Sequence, residues 1–205
     1  SMNYRVNSLF TEYLLKRSSY GKATTIGDAL RQTKETLVSG SADVQDLSEN
    51  KLHFVLLGDP ALRLALPEYT LVVDSFNHQS SSINGHIAKA GGLITVSGHV
   101  EDFMGNRIEA DGIIYPKVFD NERVVTCLNN EGYADEPFVY NDRDRVLYSG
   151  SDSVKGGGFS FTFPVPLDIN YSDENGLILL YAEIENGVVS ANGSFSNFTI
   201  GGTAD

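Results

Sequence analysis

Between Lys51 and Pro67 the sequence reads KLHFVLLGDPALRLALP, and this stretch constrains the fold more than any other. Four consecutive apolar residues, Phe54 to Leu57, stop at Gly58-Asp59-Pro60 and resume as Leu62, Leu64 and Leu66. A short apolar run bounded by turn formers predicts a strand buried on both faces, as in a parallel sheet covered by helices. Gly58 permits a tight turn. Asp59 can accept hydrogen bonds from the amides that follow, and Pro60 suits the first position of a helical turn. The reading of Gly58, Asp59 and Pro60 is therefore a structural cap, with the alternating leucines anchoring the exit.

The residues before this run predict helices. Val6, Leu9, Phe10, Tyr13 and Leu14 fall on one stripe of a 3.6-residue period. A second helix starts at Thr25, with Asp28 three residues on as an approximate capping box, and buries Ile26, Leu30, Thr33 and Leu37. Residues 39–50 read as a loop. Two helices and one doubly buried strand do not make a core, because an unpaired buried strand leaves amides and carbonyls unsatisfied at about 1–3 kcal/mol each. The expectation is that this strand's sheet lies in upstream sequence, in another copy, or in the remainder of the chain, and that the chain is a piece of a larger protein.

From Tyr69 the period changes to two. Ile94, Val96, Gly98 and Val100 alternate with Thr95, Ser97 and His99; Phe159, Phe161, Phe163 and Val165 share a side; so do Ile178, Leu180, Ala182 and Ile184. With weaker strands near 83–87, 113–120, 124–128 and 146–148, this predicts seven to nine short strands in an antiparallel β-sandwich. Pro116 inside one of them marks an edge or a bulge.

Charge supports a boundary at Pro67. Up to that residue there are 8 Lys and Arg against 7 Asp and Glu; beyond it, 7 against 20. So acidic a second half excludes nucleic acid, which demands clustered Lys and Arg. No 18-residue apolar stretch occurs, so no membrane span is expected, and no signal peptide is visible at Ser1-Met2-Asn3.

The chemistry-bearing residues give little. A Cys–His peptidase needs a thiolate beside an imidazole. Cys127 is the single cysteine, in VVTCLN, and the histidines are His53, His78, His86 and His99, none in a recognisable context. His86 and His99, read as outward-facing on neighbouring strands, supply two zinc ligands without a third. The DINYSDENG stretch approximates a calcium loop with Asp168, Asn170 and Asp173, but Asp173 stands where the EF-hand glycine belongs and Leu179 where its last glutamate belongs. A hydrogen-bonded turn explains the same residues, and no cofactor is expected. DNERVV and NDRDR read as turn and exposed loop, and Gly156–Gly158, with no helix following, as a hairpin or bulge.

TIGDALRQTK followed by FVLLGDPALRLALP resembles the end of the catalytic domain of the gingipain-type cysteine peptidases, a caspase-like family. VSGHVEDFMGN, GGGFSFTFPVP and the closing IGG are similar to the sandwich that follows that domain in the branch removing C-terminal signals during type IX secretion. The resemblance implies a mainly β chain: an Ig-like β-sandwich at 68–205 preceded by an α/β fragment, two helices and one buried strand, at 1–67. It implies a non-catalytic C-terminal portion at the outer surface of a Gram-negative bacterium, since the family's catalytic Cys and His fall on no residue here. Its expected partners are an upstream peptidase domain, other secretion-system proteins and, for the isolated chain, a second copy. The alternatives are a surface adhesion or binding module with a helical cap, and a small hydrolase using Cys127.

Overall fold

The computed structural model describes residues 2–18, 21–40, 53–132, 135–171 and 174–204, and the chain divides into two compact units, Ser1–Leu66 and Pro67–Asp205.

In the first unit α1 (Met2–Leu15) packs against α2 (Ile26–Ser39), with Tyr13 Oη and Thr36 Oγ1 2.7 Å apart across the pair. Val6 is buried, but Leu9, Phe10, Tyr13 and Leu14 are only half-buried, so the stripe on α1 is incompletely covered. On α2 the buried residues are Ala29, Thr33 and Leu37, one turn apart, while Ile26 and Leu30 sit at the margin. The Thr33 hydroxyl, buried with them, donates to the Ala29 carbonyl at 2.7 Å.

Phe54–Leu57 differs from the sequence expectation. It joins no β-ladder among the described residues, Val55 is 70% exposed and Leu57 91% exposed. Leu62 and Leu64 are exposed as well, so the exit leucines do not anchor in a core. The physical reason is the one that made the strand an orphan: among the described residues this unit offers it no second strand.

The second unit is built of thirteen described strands. Seven close into a ring: β1 (Tyr69–Phe76), β4 (Leu93–Glu101), β10 (Gly158–Pro164), β9 (Asp152–Lys155), β5 (Gly112–Phe119), β11 (Leu177–Ile184) and β12 (Val189–Phe195), which returns to β1. Two shorter strands, β2 (Gln79–Ser80) and β8 (Val146–Ser149), hang from β1 and β5. The long ladders are antiparallel, as expected; the seam that closes the barrel is parallel and pairs only Tyr69 with Ala191 and Thr70 with Asn192. Gly193 lets β12 approach β1 there, because a Cβ at that position would stand 2.0 Å from the Leu71 carbonyl oxygen. The result is a closed barrel where an open pair of sheets was expected.

The period-two residues fill it. Ile94, Val96, Val100, Phe159, Phe161, Phe163, Val165, Ile178, Leu180, Ala182 and Ile184 all belong to one buried cluster. β3 (His86–Ala90) and β13 (Phe198–Thr203) form a separate parallel pair whose Ala88, Ala90, Phe198 and Ile200 join the same cluster. Pro116 has a definite place: β5 exchanges one neighbour, β9, which it pairs through Ile114, for another, β8, which it pairs from Lys117. A residue without an N–H falls where no ladder bond is required on that side. Gly156 and Gly157, at φ of 54° and 75°, turn β9 into β10 as a tight hairpin.

β6 (Arg123–Thr126) and β7 (Val139–Asp142) stand apart as a two-stranded ribbon whose residues are almost all exposed, among them Val124, Val139 and Tyr140, with Leu128 and Phe138 at its margins. The Phe138 and Tyr140 rings stack at 6.1 Å.

Candidate functional site

The Gly-Asp-Pro segment seats the start of α2. A helix begins with amides that have no intrahelical acceptor. Here the Ile26 amide donates to the Leu62 carbonyl at 2.9 Å, the Gly27 amide to the Pro60 carbonyl at 3.0 Å, and the Asp28 amide to Thr25 Oγ1 at 3.1 Å. Gly27 is required by the closeness of the contact, since a Cβ there would lie 2.6 Å from Pro60 Cβ. Asp59 Oδ1 accepts the Ala61 amide at 2.8 Å and holds the turn, Gly58 carries a φ of 142°, and the Arg63 guanidinium donates to the Ala23 carbonyl. Residues 33 to 40 positions apart in sequence thus form one docked corner, in which Asp59 and Pro60 are engaged with the backbone.

The candidate nucleophile and histidines are scattered over different elements. Cys127 is exposed at the end of β6, its amide donating to the Phe138 carbonyl at 2.8 Å, and no histidine shares its ribbon. His53 is exposed in the first unit; His78 occupies the turn between β1 and β2 at a φ of 65°. His86 is not outward-facing. It is 2% exposed, donates from Nε2 to the Ser80 carbonyl at 3.1 Å, and packs its ring 5.3 Å from that of Phe76. β3 pairs with β13 and not with β4, so the sheet does not bring His86 and His99 side by side. Among the described residues no three His, Cys, Asp or Glu side chains converge as a metal site.

The calcium candidates are otherwise engaged. Asp168 faces Arg145, with Oδ2 2.6 Å from Nη2. The Asn170 amide donates to Asp120 Oδ2 at 3.0 Å, its side-chain Nδ2 donates to Asn121 Oδ1 at 2.8 Å, and its backbone carbonyl accepts from Asn121 Nδ2 at 2.9 Å. Asp173 lies outside the described residues. Asp120 and Asn121, read as part of a turn, are nearly fully buried. The Asp120 carboxylate accepts the Asn121 amide at Oδ1 and the Asn170 amide at Oδ2, with Arg145 at 3.7 Å, so both oxygens of this buried group are hydrogen-bonded. An open cleft of about 660 Å³ runs over this polar knot, lined also by Arg123 and Asp144, which pair with one another.

One constellation escaped the sequence reading. His99 is held by carboxylates at both nitrogens, Nδ1 by Asp74 and Nε2 by Glu101, each at 2.9 Å. Both nitrogens act as donors only in the imidazolium. Burial works against that charge and nearby Arg107 opposes it, yet the hydrogen bonds to Asp74 and Glu101 prevail and raise the His99 pKa above its ordinary 6.5. Glu101, two residues from His99 on one strand, shares its face by simple alternation. Asp74 arrives because the β1–β4 register shifts between Val73 and Ser75, leaving Asp74 as the bulged residue, and a bulge re-aims its side chain.

The fold and these sites together define a class: a chain whose first unit ends in an uncovered apolar segment, whose second is a closed β-barrel, and whose described residues assemble no catalytic pair. Residues 1–65 match the model of peptidase family C25. The crystal structure of dimeric latent PorU from Porphyromonas gingivalis is similar over 93% of this chain, with 26% sequence identity and a TM-score of 0.64. Both comparisons support the gingipain-type, PorU-like family for this chain, the family model through residues 1–65 and the structural likeness along most of its length. The chain spans 18% of the length of that PorU chain. Spo0M, the sporulation control protein of Bacillus subtilis, aligns over 67% of the chain at 15% identity with a TM-score of 0.39, too remote to carry an argument. No curated protein matches.

Proposed function

We propose that the chain is a non-catalytic portion of a PorU-like peptidase: the last elements of its gingipain-type domain, residues 1–67, followed by a β domain, residues 68–205, that props and orients the enzyme. The observation that carries this reading is the uncovered Phe54–Leu57 segment, inside the span that matches peptidase family C25. An apolar run of this kind is stable in water only as the strand of a sheet, and the peptidase domain is the source of that sheet. The parent's activity is removal of a C-terminal secretion signal from cargo of the type IX system at the outer surface of a Gram-negative bacterium. The isolated chain covers Phe54–Leu57 and the α1 stripe by pairing with a second copy, because large apolar patches rarely persist exposed. It cleaves no peptide, and alkylating Cys127 changes nothing.

The test replaces Val55 and Leu57 together by lysine. In residues 1–205 alone, diluted until the second copy has dissociated, the double variant melts at the same temperature as the unsubstituted chain. In a polypeptide extended to include the peptidase sequence before residue 1, it abolishes folding of that domain and its cleavage of substrate. A loss of stability in the isolated chain, or an active extended variant, overturns the proposal.

A further inference from the structure

After Pro67 the chain carries 20 acidic residues and only seven Lys and Arg, so each cation has abundant carboxylates within its own unit. Four are engaged: Arg123 pairs with Asp144, Arg143 with Glu122, Arg145 with Asp168 and Asp120, and Lys117 lies over the Phe119 ring at 5.1 Å. Arg107 and Lys155 form no ion pair among the described residues, and both line one open cleft of about 490 Å³ on the outer face of β4, β9 and β10. Ser97, Ser153 and Ser160 line it with them. The one carboxylate on its wall, Asp74, is bound to His99, as is neighbouring Glu101. The carboxylate on the wall of this cleft is thus engaged with the imidazole, while on its other side Lys155 borders Asp111, whose Oδ1 accepts the Gly156 amide, and Glu185. Gly158 contributes no side chain, and the Arg107 guanidinium lies over it, Nη2 being 3.7 Å from where a Cβ would stand.

We propose that this cleft is an anion site for a phosphate or sulfate group, gripped by the Arg107 fork and the Lys155 ammonium with the Ser153 and Ser160 hydroxyls supplying further donors. Two cations and several hydroxyls drawn from different strands match the several acceptor oxygens of a tetrahedral oxyanion. Two cations without an ion pair among the described residues, on the wall of one cleft, raise the local concentration of an anion there. The site is independent of the reading of the first unit, since every residue in it lies in the β-barrel unit.

The phosphate can belong to a small molecule or to a lipid headgroup, and the experiment separates them. Inorganic phosphate is titrated into the chain at constant ionic strength, with amide and Arg Nε–Hε shifts followed by NMR. In parallel, the chain is floated with phosphatidylglycerol and with phosphatidylcholine vesicles. Saturable shifts centred on residues 97–107 and 153–160 are expected. Arg107→Gln and Lys155→Gln each weaken the binding about tenfold. Lys89→Gln, which removes an equal charge from the outward face of β3, leaves it unchanged. Flotation with phosphatidylglycerol that both cleft variants abolish assigns the phosphate to a headgroup; phosphate binding without flotation assigns it to a small molecule. Shifts that grow linearly without saturation, or a loss as large in Lys89→Gln as in the cleft variants, overturn the site.

Discussion

Two apolar stretches of this chain look alike in sequence and end differently in space. Phe159, Phe161 and Phe163 on β10 are buried in the barrel, opposite Gly98, Val96 and Ile94 of β4. Phe54–Leu57, as apolar and as sharply bounded, leaves Val55 and Leu57 in solvent. Hydrophobicity decides that a segment must be covered; the presence of a hydrogen-bonding neighbour decides whether it is. In the barrel every strand meets its partners between Tyr69 and Phe195. In the first unit the partner is not among the described residues.

Substitutions sharpen that contrast. The largest effect belongs to Phe163→Ala, which should cost the barrel about 3–5 kcal/mol as a cavity in a fully covered site. Leu57→Ala should change stability by less than about 0.5 kcal/mol, as expected of an exposed side chain. Chemical denaturation of both variants checks the pair, and equal losses would break the comparison. Next comes Gly27→Ala. Its Cβ would meet Pro60, separating the Gly-Asp-Pro corner from α2, and about 1–3 kcal/mol of first-unit stability should be lost while the barrel's melt is unaltered. Amide exchange along α2 reads this out. Thr25→Ala, which deprives the Asp28 amide of its acceptor and the Asp28 carboxylate of a donor, should cost about 1 kcal/mol by the same measurement.

The smallest effect is electrostatic and confined to the barrel. Because the folded His99 pKa is raised, its stabilisation is fully present below the unfolded value near 6.5 and is lost as pH rises through the folded value. The wild-type barrel should therefore weaken slightly as pH climbs above 6.5, and His99→Gln should remove that slope. With Asp74 nearly half exposed, solvent keeps the effect small. A slope unchanged in His99→Gln would assign it to other groups.

What the sequence disclosed follows the same division. Alternation on β4, β10 and β11 was legible because each of those strands buries one face against its own chain. The barrel's closure was not, for it depends on backbone approach at Gly193 and on a two-residue parallel seam. An outward His86 is what alternation implies if Ile87 points into the core. The chain instead turns Ile87 and Lys89 to solvent and buries His86 with the small Ala88 and Ala90, which leave room for Phe76. Burial of Asp120 and Asn121 was hidden for a related reason: their partners, Asn170 and Arg145, are distant in sequence. At His99, Glu101 was visible by alternation, whereas Asp74 required a bulge that no periodicity announces.

The central claim is that residues 54–57 are one strand of a sheet completed by peptidase sequence outside residues 1–205. Hydrogen exchange at the amides of Val55, Leu56 and Leu57 tests it directly, first in the dilute chain alone and then in the polypeptide extended upstream. Exchange near the unprotected rate in the first and strong slowing in the second is the predicted result. Strong protection already in the dilute chain, or none in the extended one, would contradict it.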